Sequence, residues 1–305
     1  MTATTSEGPG VGEGPGVGAG SGAGDGTAPV PRLLRRRRPV GLWIGATLVG
    51  LVIVLAVMGL IWTPYNPMAL DIPHRLQAPS AAHWLGTDEF GRDVLSRIMS
   101  GATTSVTIGV STVATASLIG APIGILAGFL GGMVDRLVAV VVDALLAFPG
   151  ILMALGLMAV IGPGESSIVL ALGIAYTPAM ARVVRSIVMS LRSRDFVEAS
   201  MVTGNSTLYT MAAHVLPNAV SPIIVLATSM FGWALLAESA LSFLGLGVPP
   251  PAATWGSMLS AGRPHLGQAD WLTIFPGACI TLALLGICLV GDALRDRLDP
   301  RMRRA

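Results

Sequence analysis

Asp143, Arg182 and Glu238 interrupt long apolar runs of this chain and are the first candidates for chemistry. Asp143 stands about seven residues into its run, ~10 Å at the helical rise, and Arg182 reaches a similar depth. An unpaired charge there costs several kcal/mol, which leaves three uses: an ion pair between the two, the lining of a polar path, or a proton relay. Glu238 lies near the end of its run, where it can meet a ligand or partner or accept an interfacial hydrogen bond.

Covalent chemistry finds no support in the residue types. Neither G-x-S-x-G nor H-E-x-x-H occurs, so a membrane-embedded hydrolase is disfavoured. His74 and His83 have carboxylates nearby but no recognisable ligand spacing, and no metal is expected. Cys279 and Cys288 are nine residues apart on one apolar run. At ~100° per residue they point to opposite faces and serve as small apolar fillers. All nineteen basic residues are Arg, and without Lys there is no Walker A phosphate loop. If ATP drives this protein, another subunit binds it, with its Mg, and this chain carries no cofactor.

A second candidate is a polar island, DFVEASMVTGNSTLYTMAAHVLPN, over residues 195–218. Asp195 with Glu198 three residues on has the layout of a capping box, predicting a first helix from Asp195 towards Gly204. Gly204-Asn205 supplies a stop and turn, Ser206 or Thr207 caps a second helix, and Pro217 ends that helix near Leu216. A helix-turn-helix can also read DNA, but Asp195 and Glu198 in the first turn and a tether at both ends disfavour phosphate contact.

The elements that position these residues are membrane spans. The 305-residue chain is 52% hydrophobic and only 12% charged, with a mean hydropathy of +0.72, a composition of polytopic membrane proteins. Six runs are long enough to cross a ~30 Å hydrocarbon core: 41–62, 102–129, 137–161, 167–190, 219–244 and 272–294. The first is read as an uncleaved anchor, with Trp43 and Trp62 at its ends. Gly120-Ala121-Pro122, Pro149-Gly150, Pro178 and Pro276 break helical pattern inside spans, as expected where helices pack around a pathway or kink. Fifteen of the nineteen Arg then fall on one side, which predicts cytoplasmic termini and a cytoplasmic 195–218 loop. Residues 1–40 precede the spans as a Gly/Pro-rich tail, with EGPGVG at 7–12 and 13–18, expected to be disordered. Its Arg32 and residues 35–38 form a basic cluster suited to anionic lipid rather than nucleic acid.

Glu198-Ala199-Ser200, Gly204, His214 and Pro217 resemble the EAA loop of ABC importer permeases, with Ser200 where a second Ala is usual. The outer segments narrow the likeness. LGTDEFGRDVLSR, carrying Gly86, Thr87, Asp88, Gly91, Arg92 and Asp93, is similar to the dipeptide/oligopeptide/nickel branch, as are ESALSFLGLG from Glu238, the prolines before Thr254-Trp255-Gly256, and GDALRDRLDPR near the end. Thr87 or Asp88 is expected to cap a short helix carrying Arg92, Asp93 and Arg97 into the second span, and Trp255 is expected at the outer interface.

The resemblance implies an all-α integral membrane protein of the type I ABC importer permease fold, with six transmembrane helices in residues 41–305 and a cytoplasmic coupling helix. It implies a non-enzymatic permease of the cell inner membrane for peptides or similar small solutes. The implied partners are a second homologous permease chain, one or two ABC ATPase domains that receive the loop, and an extracytoplasmic solute-binding protein. An ion-coupled secondary transporter using Asp143 and Glu238 is the alternative.

Overall fold

The computed structural model describes residues 40–298; the Gly/Pro-rich tail with its Arg cluster and the stretch around Arg301 lie outside the described residues. Ten α-helices and no strands are found among the described residues. Five are long and apolar enough to span a membrane: α1 (Val40–Ile61), α2 (Val94–Leu130), α5 (Glu165–Arg192), the run from α7 (Thr207–Thr210) into α8 (Leu216–Leu241), and α10 (Trp271–Leu298). The sixth candidate is a bent pair, α3 (Gly132–Leu146) and α4 (Gly150–Ile161), whose axes turn by 84°.

That bend falls at Pro149-Gly150, the helix-breaking pair expected inside the span over 137–161. Pro149 has no N–H for a helical bond and disfavours helical geometry at Phe148, so α3 stops at Leu146. The chain restarts on the Pro149 carbonyl, which accepts from the N–H groups of Leu152 and Met153 at 2.9 and 3.1 Å. Pro122, Pro178 and Pro276, by contrast, sit inside continuous helices.

The axis of the bundle is the α2–α5 pair, and its closeness is set by glycine. Gly120, Gly124 and Gly128 recur every four residues and so share one face of α2. A Cβ on each would meet the carbonyl oxygen of Thr177, Ala181 or Arg185 at 2.7, 2.5 and 2.7 Å. Small residues at this period let two backbones touch where no hydrophobic effect pushes helices together. Gly59 brings α1 closer still to the Met99 carbonyl, whose oxygen a Cβ would meet at 2.0 Å, and the Thr103 hydroxyl donates to the Ala56 carbonyl at 2.6 Å across the same contact. A buried cluster including Phe129, Met180, Val184 and Val188 continues from α2 and α5 to Val197 and Val215, joining the 195–218 loop to the bundle.

The second span begins earlier than expected. No short helix forms after Thr87; Asp93 is the N-cap of α2, accepting from the Ser96 N–H at 2.8 Å and the Ser96 hydroxyl at 2.7 Å. Thr87 and Asp88 instead organise the preceding loop, because each spends its side chain on backbone groups there.

Candidate functional site

Two sites take shape at opposite ends of the chain's spans. The first is the 195–218 loop. Its first helix, α6 (Asp195–Val202), begins one residue before the expected capping box could act: Arg194 is the N-cap, without a side-chain cap bond, and Asp195 and Glu198 sit inside the first turn. They favour that end through the helix dipole rather than by capping. Gly204 closes α6 at φ +85°, with the Asn205 N–H on the Ser200 carbonyl at 3.2 Å and the Gly204 N–H on Met201 at 3.1 Å, the Schellman pattern.

Ser206 caps α7 through its Oγ, which accepts from the Tyr209 N–H at 3.2 Å. The helix does not end near Leu216. A five-residue π turn, Met211–Val215, carries it into α8 with Leu216 still helical, so Pro217 falls in the first turn of α8, where its missing N–H is tolerated. The second half of the loop is therefore one piece with the fifth span.

Ser200 holds the two halves together. Its hydroxyl is buried, 2.9 Å from the Thr210 hydroxyl, and accepts from the Asn205 side-chain amide at 3.2 Å. Sequence reasoning missed Thr210; the signal available was a second small hydroxyl facing the departure from Ala. Glu198, Ala199 and Pro217 are exposed, and His214 lies edge-on to Tyr209 with ring centroids 5.9 Å apart. Beside them Phe196, Met201, Val202, Leu208 and Tyr209 present apolar surface outward.

Between loop and bundle lie two ion pairs. Arg182 contacts Asp143, tying α5 to α3, but the two side chains keep 51% and 65% of their surface exposed, so the pair faces out of this chain rather than into its core. Arg185 binds Asp135 with both forks of its guanidinium, the Nη2 at 2.7 Å from Oδ2, one turn nearer the loop. That second pair was not singled out from sequence, because both residues lie at span ends where exposed charge is ordinary.

The second site is the segment between α1 and α2. Asp88 is buried and accepts from the N–H groups of Phe90 and Arg92, both at 2.9 Å, and from the Arg92 Nε at 2.6 Å. Asp93 is buried and lies 3.0 Å from the His83 Nδ1. Thr87 donates to the His74 carbonyl at 2.6 Å, and Gly86 and Gly91 take positive φ so the loop can fold back on itself. At Gly91 a side chain is impossible, since its Cβ would lie 1.7 Å from the Asp71 carbonyl oxygen. Among the described residues no group of three or more His, Cys, Asp or Glu is placed to hold a metal ion.

Glu238 and Trp255 are both wholly enclosed. Glu238 accepts from the Ser242 hydroxyl at 2.7 Å. Trp255 corrects the expectation of an interfacial ring: its indole N–H donates to the Ile98 carbonyl and its backbone N–H to the Ser105 hydroxyl, each at 3.1 Å. Its position just after a capping box from Thr254 points it at α2 instead of at lipid.

A family model described as the binding-protein-dependent transport system inner membrane component matches residues 120–304. The chain is 43% identical over 272 residues to a putative peptide transport system permease protein of Brucella suis, covering 89% of this chain and 90% of that one. It is 40% identical over 260 residues to a dipeptide transport system permease protein DppC of Alkalihalophilus pseudofirmus (85% and 86% covered). It is 41% identical over 269 residues to a di/tripeptide transport system permease protein DppC of Pseudomonas aeruginosa (86% and 89%). These matches overturn the ion-coupled alternative built on Asp143 and Glu238. The chain is a multi-pass membrane protein and belongs to the family of binding-protein-dependent transport system inner membrane components, the permease subunits of ABC transporters.

Proposed function

We propose that this chain forms half of the translocation path of an ATP-driven importer of short peptides, with a second homologous permease supplying the other half. The observation that carries the reading is the outward apolar face of the 195–218 loop. Phe196, Met201, Val202, Leu208 and Tyr209 are exposed on a polar segment between spans, and such a patch marks a contact surface. With no Lys in the sequence to build a phosphate loop, ATP and Mg sit on a separate ATPase, as one or two domains, and this face docks into it. The relatives named for peptide, dipeptide and di/tripeptide transport support peptide cargo. The distribution of Arg supports cytoplasmic termini in the inner membrane, with the outer segments turned to a solute-binding protein.

The mechanism follows from how rigidly the loop is built. ATP binding draws the ATPase domains together and displaces α6 and α7. Ser200 and Thr210 keep the two helices moving as one, and the π turn passes that motion into α8 while α6 passes it to α5. The Asp135–Arg185 and Asp143–Arg182 contacts carry it on to the bent α3–α4 pair. The cavity opens outward to receive peptide, and hydrolysis resets it. The test is uptake of labelled dialanine into vesicles carrying the whole transporter. Uptake that requires luminal ATP and survives dissipation of the proton gradient is expected. Uptake that ignores ATP refutes the reading.

A further inference from the structure

A cleft of about 640 Å³ lies on the outer side, walled by Phe90, Val248 and the prolines 249–251, with Glu89, Arg92 and Arg97 among its polar edges. Arg97 is the unusual member. It is 93% buried by surface, since only 7% remains exposed, yet among the described residues its guanidinium makes a single hydrogen bond, to the Pro67 carbonyl at 3.3 Å. Its nearest ionic partner, Asp88, is 3.4 Å away and already committed to Arg92 at 2.6 Å, while Arg92 and Glu89 lie within Coulombic range. A guanidinium has five N–H donors in a fixed fork, so most of Arg97's donors are left to the cleft. Arg92 differs: it is held by Asp88, faces Glu89 at 3.6 Å and stacks over the Phe90 ring at 4.6 Å.

We infer that Arg97 is the carboxylate-binding residue of an outward-facing subsite that receives the free C-terminus of a short peptide. The inference rests on the peptide reading given above. A guanidinium with few protein partners at the edge of a cleft is free to take a carboxylate, which returns two parallel charge-assisted hydrogen bonds to it. A volume of this size suits a ligand of a few residues. Glu89, on the same edge with only its long contact to Arg92, repels a dianion such as phosphate and suits the ammonium end of a zwitterion.

The test uses the assembled transporter, both permease chains with their ATPase, in nanodiscs without solute-binding protein. Binding of labelled dialanine and of its C-terminal amide is measured by equilibrium dialysis. Dialanine is expected to bind the wild type about 10-fold more tightly than the amide, equivalent to about 1.4 kcal/mol. Arg97→Gln is expected to remove that preference, and Arg97→Lys, which keeps the charge but not the fork, to restore part of it. Equal binding of the two ligands by the wild type overturns the inference, as does an intact preference in Arg97→Gln. Should Arg97→Gln fail to assemble, Ala252→Trp fills the cleft from its wall and leaves Arg97 in place. Loss of dialanine binding there upholds the site, and unchanged binding overturns it. Dialanine uptake with the binding protein present separates the two readings. Wild type that imports dialanine without a carboxylate preference overturns the subsite alone, whereas wild type that imports no peptide overturns the cargo reading and the subsite with it.

Discussion

Gly124→Ala puts the smallest possible side chain into the tightest of the three glycine contacts between α2 and α5. The new Cβ lies 2.5 Å from the Ala181 carbonyl oxygen and 2.9 Å from both the Arg185 nitrogen and the Val184 Cβ, where ordinary contact begins at 3.4 Å. Two of those three atoms are backbone, so relief requires the helices to part by about 1 Å, loosening Met180, Val184 and Val188 along the seam. Overpacking of this kind costs roughly 1–3 kcal/mol, and the better helix propensity of Ala returns up to ~1 kcal/mol, leaving a net loss of about 1–2 kcal/mol. Gly50→Ala is the control, because nothing lies within 4 Å of its Cβ and only the propensity gain remains. Thermal unfolding in detergent, followed by tryptophan fluorescence, reads both. At about 2–4 °C per kcal/mol for a chain of this order, Gly124→Ala is expected to melt several degrees below wild type and Gly50→Ala at or above it. A Gly124→Ala protein as stable as Gly50→Ala would falsify the claim that backbone contact sets the helix spacing.

Three further outcomes are expected. Gly204→Val meets no steric neighbour but forces a β-branched residue to φ +85°, costing roughly 1–2 kcal/mol at the end of α6; the number of ATP molecules hydrolysed per peptide imported is expected to rise, and an unchanged ratio counts against a coupling role for the loop. Exchanging Asp143→Arg with Arg182→Asp is expected to recover partner co-purification lost in each single change, because the contact across α3 and α5 is reformed with reversed sign; no recovery dismisses the pair. Trp255→Phe removes the indole bond to Ile98 and, because phenyl is smaller than indole, leaves a gap at a wholly buried site, so a loss of roughly 1–3 kcal/mol is expected in the same melting assay. A phenylalanine variant as stable as wild type removes both the bond and the tight packing of the indole from the account.

Spans were legible because an uninterrupted apolar run has few other uses, and the loop because capping and turn residues act locally. What escaped depended on partners distant in sequence. Trp255 looked interfacial until Ile98, 157 residues away, appeared as the acceptor of its indole. Gly120 was read with Pro122 as a helix-breaking stretch and Gly124 and Gly128 were not singled out, although their four-residue period was visible; what they touch on α5 was not. Pro149 and Pro217 carry the same local restriction, yet one breaks a span and the other rides within it. Pro217 falls in the first turn of α8, after a π turn that no periodicity announces, whereas Pro149 stands before α4 where the axis turns by 84°. In the segment between α1 and α2, Asp88 and Asp93 were recognisable as a motif, but which of them caps α2 depends on the fold-back that Gly91 permits.

The π turn at Met211–Val215 has a consequence for how this loop tolerates insertion and deletion. Each of its bonds spans five residues where an α-helix spans four, so the turn holds one residue more than a regular helix joining the same two ends. Removing any single residue from it is expected to regularise the helix without breaking it. The shorter regular helix joins the same two ends, so everything on the loop side keeps its bearing about the axis of α8. The same deletion from a regular part of α8 would instead turn Leu208 and Tyr209 by ~100° about that axis. The π turn is thus the one place in this helix where the loop can lose a residue without losing its aim.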